Sequence, residues 1–532
     1  MSSIQPIDRS NLQSSLDASS ISAEALKPPK PSESTLSSES EQHSINEHHK
    51  MGLSGAVSFV CGNIIGAGLF ITPSFVVQYT GSVGLAAIVW ILSALISVLG
   101  AYSYVELGTS IRKSGADFAY LCYVGWFPAA FSFMSTGCLM MYPAIVAVQA
   151  KSFSEYLFQG LRIEFENEFV GHLVKVFVSF GLVWSICALN FFSLKKFSSQ
   201  FQVIATTAKI LAVASIVLVG FYLLIFRQKT ENLKNPFETS NFQPAPLALA
   251  FYQALFAYDG WDILNFGIEE IDRPRQTMPL AILLGMIIVA ATFMITNVAY
   301  FVVLPASEIK ASTAIAQTFA QHSMGNFQYL MPFLTSLMLI GSLNSTIFAS
   351  SRYLFAAARH GHMPSFLSTV NLKSGSPRAA IVFHSLLAFV FALIGDMSTL
   401  VNMLSVAQWL QRFLTMMALL YIRYKCLQVH PERIRTPIVL PIIFATICIT
   451  LVTVTFVFYF TTAAVGLGFL LSAFVFYFVF MYDKTLMRID GYREFCSTVN
   501  DKTTKLSEAI FNAKAQNDKD HSKFDGHPTN SP

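Results

Sequence analysis

Long apolar stretches alternate with short polar segments along the chain from about residue 52 to residue 482. A helix needs about 20 consecutive apolar residues to cross a bilayer, so the pattern predicts an all-α polytopic membrane protein with about twelve transmembrane helices. Only Gly395 and Asp396 separate the ninth and tenth stretches, which leaves eleven as the alternative count. The stretches lie at about 53–80, 83–110, 124–157, 172–192, 198–226, 246–270, 279–304, 328–357, 379–395, 398–424, 438–460 and 463–482.

Two of these stretches are interrupted at membrane depth. Residues 62–70 of the first read GNIIGAGLF, and residues 258–262 of the sixth read YDGWD. Each glycine inside a helix costs about 1 kcal/mol relative to alanine, and unpaired backbone groups are tolerated in a membrane only where they line a cavity or are buried in protein. The sequence therefore predicts broken first and sixth helices that line a binding site.

The spacing of the two interruptions predicts internal symmetry. Matching breaks in corresponding halves of a chain are typical of transporters built from inverted repeats. The predicted architecture is a five-plus-five inverted repeat with repeats at about 53–226 and 246–424, followed by additional helices at 438–482. Together they make a transporter domain that spans residues 51–482.

Composition and charge agree with this reading. The chain is 53% hydrophobic and only 12% charged, whereas soluble proteins carry about 25% charged residues. No basic soluble domain suited to nucleic acid is visible. Lys and Arg concentrate in the loops that face inward if both termini are cytoplasmic, although the loop at 227–243 opposes this bias. We expect a multi-pass protein of the plasma membrane with a disordered N-terminal tail (1–50) and a polar C-terminal tail (483–532), both cytoplasmic.

The sequence shows no pattern typical of an enzyme or a metal protein. Its seven cysteines have no paired spacing, so neither a disulfide framework nor a zinc site is indicated. His360 and His362 share a loop, but no nucleophile or ligand motif accompanies them. We expect no catalytic activity, no cofactor and no metal.

Five sequence segments together carry a family resemblance. They read GNIIGAGLFITP (62–73), YVELGTSIRKSGADFAYL (104–121), FAYDGWDILNFGIEE (256–270), RPRQTMPLAI (273–282) and SSRYLFAAARHGHMPSF (350–366). In this order they resemble the amino acid–polyamine–organocation superfamily and, within it, the L-type amino acid transporters, which are light-chain subunits of heteromeric amino acid transporters. The resemblance implies sodium-independent transport of L-amino acids, by exchange or by uniport.

The resemblance and the chemistry of a zwitterion together suggest a common recognition site. The broken first helix offers the backbone N–H groups of Gly66, Ala67 and Gly68 to a carboxylate, unless these glycines merely permit close helix packing. The carbonyls of Ile64, Phe256 and Asp259 are candidates to accept from the ammonium group. Lys209 stands where related carriers keep a lysine that takes the place of a coupling cation.

Five side chains are candidates for substrate selectivity. Phe256 resembles the aromatic residue that closes over the substrate in this family. Asp259 resembles the aspartate of members that accept cystine and dibasic amino acids, and a carboxylate at membrane depth suits a cationic side chain. Three alternatives stay open for Asp259: it caps the broken helix, pairs with a fixed cation or, with Asp262, carries a proton. Arg412 in the tenth span would cancel the cationic argument by pairing with either aspartate. Asn344 either lines the side-chain pocket with Ser342 or makes an interhelical hydrogen bond.

The resemblance also bears on partners and on other functions. Light chains of this family typically carry a cysteine in the outer loop between the third and fourth spans, which binds a heavy chain. The corresponding loop, 158–172, contains no cysteine, so we expect no disulfide-linked heavy chain, while a non-covalent partner stays open. A non-transporting sensor built on a transporter fold is the remaining functional alternative.

Overall fold

The computed structural model describes residues 52–112, 115–163, 165–191, 195–266, 268, 271–359, 361–394, 396–482 and 484–515. The predicted N-terminal tail lies outside the described residues. The described elements of the first half of the chain are α1 (Leu53–Ile64), α2 (Gly68–Thr80), α3 (Val83–Ser110), α4 (Ala116–Tyr123), α5 (Phe127–Thr136), a π-helical turn (Gly137–Met141), α6 (Tyr142–Leu161), α7 (Glu168–Phe191) and α8 (Lys195–Ile225).

The second half continues with helices and one pair of short strands. Its longer elements are α9 (Pro244–Ala257), α10 (Ile263–Phe266), α11 (Pro274–Val303), α12 (Ala306–Ala311), α13 (Ile315–Ser323), α14 (Leu330–Arg359), β1 (Thr369–Asn371), α15 (Arg378–Ile394), α16 (Met397–Tyr424), α17 (Val439–Phe458), α18 (Phe460–Phe476), α19 (Asp490–Phe511) and β2 (Ala513–Ala515). Single turns of 3-10 helix or π-helix lie at Glu231–Leu233, Gly325–Tyr329, Ser365–Ser368, Tyr477–Met481 and Leu486–Arg488.

The helices confirm an all-helical polytopic membrane protein. Among the described residues, eight helices are long and apolar enough to cross a membrane, or ten when each of two bent pairs is counted as one span. The predicted twelve are reached when the bent pair α15–α16, which turns by 118°, is counted as two spans and the short helix α9 is added.

The two predicted breaks are present. Between α1 and α2 the chain bends by 50°, and Ile65, Gly66 and Ala67 separate the helices. The second break separates α9 from α10, and Gly260 within it has a φ of 101°, a conformation that favours glycine. Each break therefore falls where glycine and polar residues disfavour a continuous helix.

A buried ion pair joins α3, α16 and the loop after α16. The guanidinium of Arg423 donates to both carboxylate oxygens of Glu106, with Nε 2.8 Å from Oε1. The same carboxylate accepts from the backbone N–H of Thr436 at 2.9 Å and from its hydroxyl at 2.6 Å. Both charged side chains are less than one-tenth exposed. This network holds together the end of the bundle at which α3 and α16 terminate. We call this end the entrance face, because the cavity described below extends toward it.

An exposed ion pair on the same face provides a matched comparison. Arg112 and Glu432 lie 2.7 Å apart with side chains 29% and 60% exposed. Hydrogen bonding to the Arg112 guanidinium lowers the pKa of Glu432. The carboxylate is thus charged at neutral pH, and its attraction is lost only as the pH falls through that lowered value.

We predict that Glu106→Ala destabilises the protein far more than Glu432→Ala. Removing one partner of a buried pair leaves an uncompensated charge and costs about 3–5 kcal/mol, whereas exposed pairs contribute little. Thermal unfolding of the purified variants in detergent at neutral pH measures the difference. Equal shifts of the two unfolding midpoints would contradict a structural role for the Glu106–Arg423 pair.

Candidate functional site

A cavity of about 1280 Å³ surrounds the two helix breaks. Its wall includes Ser58 of α1, Tyr353 of α14 and Gly115, which follows the end of α3, so the cavity extends from the breaks toward the entrance face. Phe256, predicted to close over the substrate, is not among the described residues that line the cavity and packs against the hydrophobic cluster that contains Met140 and Leu404. A volume of this size accommodates an amino acid together with water.

The two breaks are in direct contact. The side-chain amide of Asn63 donates to the carbonyl of Gly260 at 3.2 Å, and a Cβ added at Gly260 would lie 2.1 Å from that amide nitrogen. A Cβ added at Gly68 would lie 2.7 Å from the Cα of Ala257. These glycines allow the interrupted helices to approach more closely than any larger residue permits.

The first break presents unpaired backbone donors at the start of α2. The backbone hydrogen bonds of this turn run from Ile65 N–H to the Cys61 carbonyl and from Phe70 N–H to the Ala67 carbonyl. Within the described part of the chain, none of the backbone hydrogen bonds of this turn uses the N–H groups of residues 66–69. Free donors at a helix N-terminus favour an anionic group.

The predicted binding residues of this break differ in their access to the cavity. Gly66 lines it, and a Cβ there would have no atom closer than 3.8 Å. Ile64, Ala67 and Gly68 are buried beside it, and Gly68 is packed against α9. Close packing, the alternative interpretation of the glycines, therefore describes Gly68, whereas a Cβ at Gly66 would make only ordinary van der Waals contacts.

Lys209 connects α8 to the first break. Its ammonium group donates to the carbonyl of Gly62 in the last turn of α1 at 3.4 Å, and the side chain lines the cavity. The side chain therefore brings its amino group to carbonyl groups that the break leaves without helical partners. The structure thus places Lys209 next to the first break.

Asp259 is paired with a fixed cation. Its carboxylate accepts from the Arg412 guanidinium and, at 2.9 Å, from the side-chain amide of Gln408. Arg412 is 3% exposed and lies between the rings of Trp261 and Trp409, 4.7 and 4.8 Å from their centroids. Because the aromatic faces and the carboxylate both stabilise the guanidinium, the pairing alternative describes the structure.

Two further carboxylates lie near this pair. Asp262 lines the cavity beside Asp259, as the sequence suggested. Asp117 of α4 was not predicted as a site residue, although it lies within the segment 104–121 that carries the family resemblance. Its carboxylate accepts from the Tyr104 hydroxyl at 2.5 Å and the Thr415 hydroxyl at 2.7 Å. Its hydrogen bonds join α3, α4 and α16 at the cavity wall.

The α14 helix places its two predicted polar residues in different surroundings. Asn344 is buried and accepts from the side-chain amide of Asn190 in α7 at 2.9 Å, which is the interhelical alternative. Ser342 lines the cavity instead and accepts from Gln149 of α6 at 3.4 Å. Gln149 was also missed, because one polar residue within an apolar span gives no signal of the direction it faces. Among the described residues, no cluster of three or more His, Cys, Asp or Glu side chains has metal-binding geometry.

Comparisons with known proteins identify the family. A family profile described as amino acid permease matches residues 51–482. Amino acid transporter protein 6 of Caenorhabditis elegans is 45% identical over 465 residues, covering 87% of this chain and 88% of the relative.

Two human relatives carry more specific names. The cystine/glutamate transporter is 35% identical over 81% of this chain and 84% of its own length. The b(0,+)-type amino acid transporter 1 is 33% identical over 82% and 88% of the two lengths. With an interrupted-helix cavity at its centre, the chain belongs to the amino acid permease family and is an amino acid transporter related to the L-type light chains.

Proposed function

We propose that this transporter is a sodium-independent exchanger of neutral L-amino acids, with large and aromatic side chains among its substrates. The observation that carries the proposal is the crossing of two broken helices in one cavity, with free backbone donors on one break and Lys209 beside it. Asp259, the side chain that would favour a cationic substrate, is neutralised by Arg412.

The two breaks provide complementary groups for a zwitterion. The N–H groups that begin with Gly66 suit the α-carboxylate, and the carbonyl of Ile64 and the carbonyls of the second break suit the α-ammonium. The Phe256 carbonyl already accepts from the Asp259 N–H at 3.2 Å. The carbonyl of Ile64 at the first break and that of Asp259 at the second are therefore the better candidates to accept from the α-ammonium. The two sets of groups recognise what all amino acids share.

Lys209 supports the proposal of sodium independence. A coupling sodium ion requires several oxygen ligands and a place for its positive charge. The ammonium of Lys209 stands 3.4 Å from the Gly62 carbonyl at this break. When it is protonated, this ammonium repels a second cation and supplies the same electrostatic stabilisation.

The charges of the site favour neutral substrates over cationic ones. A cationic side chain that used Asp259 would have to displace Arg412, which is buried and held by two tryptophan rings. Asp262 also lies beside it on the cavity wall, and it keeps the alternative of a cationic or dibasic exchanger open. The names of the relatives include different substrates, so they support amino acid transport without deciding among side chains.

Exchange in proteoliposomes tests the proposal. We expect labelled leucine and phenylalanine to enter vesicles preloaded with unlabelled leucine faster than empty vesicles, with the same rate when choline replaces sodium. Arginine should enter slowly. Sodium-dependent uptake would overturn the coupling part of the proposal, and arginine as the best substrate would favour the cationic alternative. No transport of any of these amino acids would favour a non-transporting sensor.

The orientation in the plasma membrane is part of the same proposal. Three arginines lie at or next to helix ends on the entrance face: Arg112 follows α3, Arg423 is in the last turn of α16 and Arg378 begins α15. Basic residues favour the cytoplasmic side of a membrane. With both termini cytoplasmic, the cavity opens inward. Labelling of the exposed Cys426 with an impermeant thiol reagent should therefore require permeabilised cells.

We also predict that no disulfide joins this chain to a heavy chain. The loop between α6 and α7 contains no cysteine, and the nearest cysteine of α7, Cys187, is buried. On denaturing gels of membranes that have not been treated with a cross-linker, the transporter should show the same apparent mass with and without reductant. A larger species that disappears on reduction would contradict the prediction, and co-purification without a disulfide would indicate a non-covalent partner.

A further inference from the structure

The helix α19 has one face that packs against the transporter domain. Asn500 exchanges hydrogen bonds with Ser365, including one of 2.8 Å to its backbone N–H. Ser507 is buried and lies 2.9 Å from the Thr369 hydroxyl. These contacts recur every seven residues, so they lie on one side of the helix. Strand β2 extends this side by pairing antiparallel with β1.

The same helix has an exposed apolar stripe. Phe495, Val499, Leu506 and Ile510 are 65%, 42%, 60% and 64% exposed. Their spacing follows the helical repeat, so they form one continuous face that is distinct from the packed side. An apolar face of this length is not expected to stay in contact with water.

The charged residues of α19 lie on a third side. Glu494, Asp501 and Lys505 are exposed, and Asp501 and Lys505 form an ion pair at 3.4 Å. At about 100° per residue, these positions point away from the apolar stripe, with the packed side between the two free faces. The helix therefore separates an apolar face from a charged face while a third side holds it to the protein.

The start of α19 is continuous with the lipid-facing surface. Helix α18 and the turn after it are apolar, and very little of this span is buried inside the protein. The rings of Phe480, in that turn, and Tyr492, in the first turn of α19, lie 6.4 Å apart. Helix α19 thus begins nine residues after that turn ends at Met481, and its first turn lies beside the apolar span.

We propose that α19 lies in the bilayer surface, with Phe495, Val499, Leu506 and Ile510 inserted among the lipids and Glu494, Asp501 and Lys505 in water. An amphipathic helix at the interface buries its apolar face about 5–10 Å into the headgroup and acyl boundary. Because Asn500, Ser507 and β2 tie the same helix to the loop after α14, the bilayer surface and a cavity-lining helix are mechanically linked. The proposal is independent of which amino acids are transported.

Neighbouring positions on the two free faces test the proposal. In the full chain carrying Cys426→Ser and Cys496→Ser, Leu506→Cys places a thiol on the apolar stripe and Lys505→Cys places one on the charged face. In phosphatidylcholine nanodiscs, an impermeant thiol reagent should modify position 506 at least about tenfold more slowly than position 505, because the interface excludes charged reagents.

A fluorescent label identifies what covers the stripe. Bimane attached in detergent at position 506, and compared with bimane at position 505, should be quenched by nitroxide-labelled lipid after reconstitution, and the label at 505 should be quenched much less. Equal thiol reactivity at the two positions would overturn the proposal by showing that the stripe faces water. Slow reactivity at 506 without quenching would also overturn it, because a protein surface and not lipid would then cover the stripe.

Discussion

Gly68→Ala is expected to abolish amino acid uptake, and Gly181→Ala is expected to leave it unchanged. A Cβ at Gly68 would lie 2.7 Å from the Cα of Ala257, whereas a Cβ at Gly181, in the middle of α7, would meet nothing within 4 Å. The contact at Gly68 involves backbone, which cannot rotate away, so the two broken helices must move apart and the binding groups of the breaks separate. A displacement of about 1 Å at a reacting or binding centre can reduce rates by about 100-fold.

Uptake of labelled leucine into proteoliposomes, normalised to the amount of folded protein, measures this difference. Size-exclusion profiles in detergent show whether each variant folds. Uptake of Gly68→Ala within about twofold of the wild type would contradict the close crossing of α2 and α9.

Gly66→Ala tests substrate binding at the first break separately from helix packing. The nearest atom to a Cβ at Gly66 would be 3.8 Å away, so the fold tolerates the methyl group, but Gly66 faces the cavity. We therefore expect a raised KM with a nearly unchanged unfolding temperature, because the methyl group keeps the substrate carboxylate from the backbone donors. An unchanged KM would place the carboxylate elsewhere.

Arg412→Gln should have the second large effect, a change of charge selectivity. The substitution leaves Asp259 without its guanidinium partner, and breaking a buried pair costs about 3–5 kcal/mol. The lower end is expected because Asp259 is 26% exposed toward the cavity. An unpaired carboxylate there attracts cationic side chains, so the ratio of arginine to leucine uptake should rise at least about tenfold, which corresponds to about 1.4 kcal/mol.

Two matched variants complete this test. In Asp259→Asn with Arg412→Gln the carboxylate is absent, so the uptake ratio should return toward that of the wild type. Asp259→Asn alone should impair leucine and arginine uptake alike, since it removes a partner of Arg412 and not a substrate ligand. A selective loss of arginine uptake in Asp259→Asn would instead show that Asp259 binds cationic substrates.

The positions of the helix breaks were accessible from the sequence because they depend on local chemistry. Glycine, Asn63 and two aspartates at membrane depth disfavour a continuous helix whatever surrounds them. The structure ends α1 at Ile64 and α9 at Ala257, next to the residues that the pattern singled out. Span lengths followed for the same reason, since bilayer thickness sets them.

Side-chain partners were less accessible. The sequence left four roles for Asp259 because Arg412 is more than 150 residues away, and no local pattern shows that the two meet. Asp117 and Gln149 were missed for the same reason, because each joins the cavity only when α3, α4, α6, α14 and α16 pack together. The C-terminal segment gave no strong apolar signal, and α19 is positioned by its contacts with a loop at 365–371.

The amino-acid sequence alone established a polytopic helical membrane protein, two interrupted spans and a family of amino acid transporters, because hydrophobicity, glycine and short motifs act through neighbours in the chain. Only the tertiary structure decided that Arg412 neutralises Asp259, that Gly68 is a packing position while Gly66 faces the cavity, and that Asn344 bonds to another helix. Each of these depends on which helix faces meet, and a helix in lipid can bury a polar side chain against several neighbours at similar free energy until packing selects one.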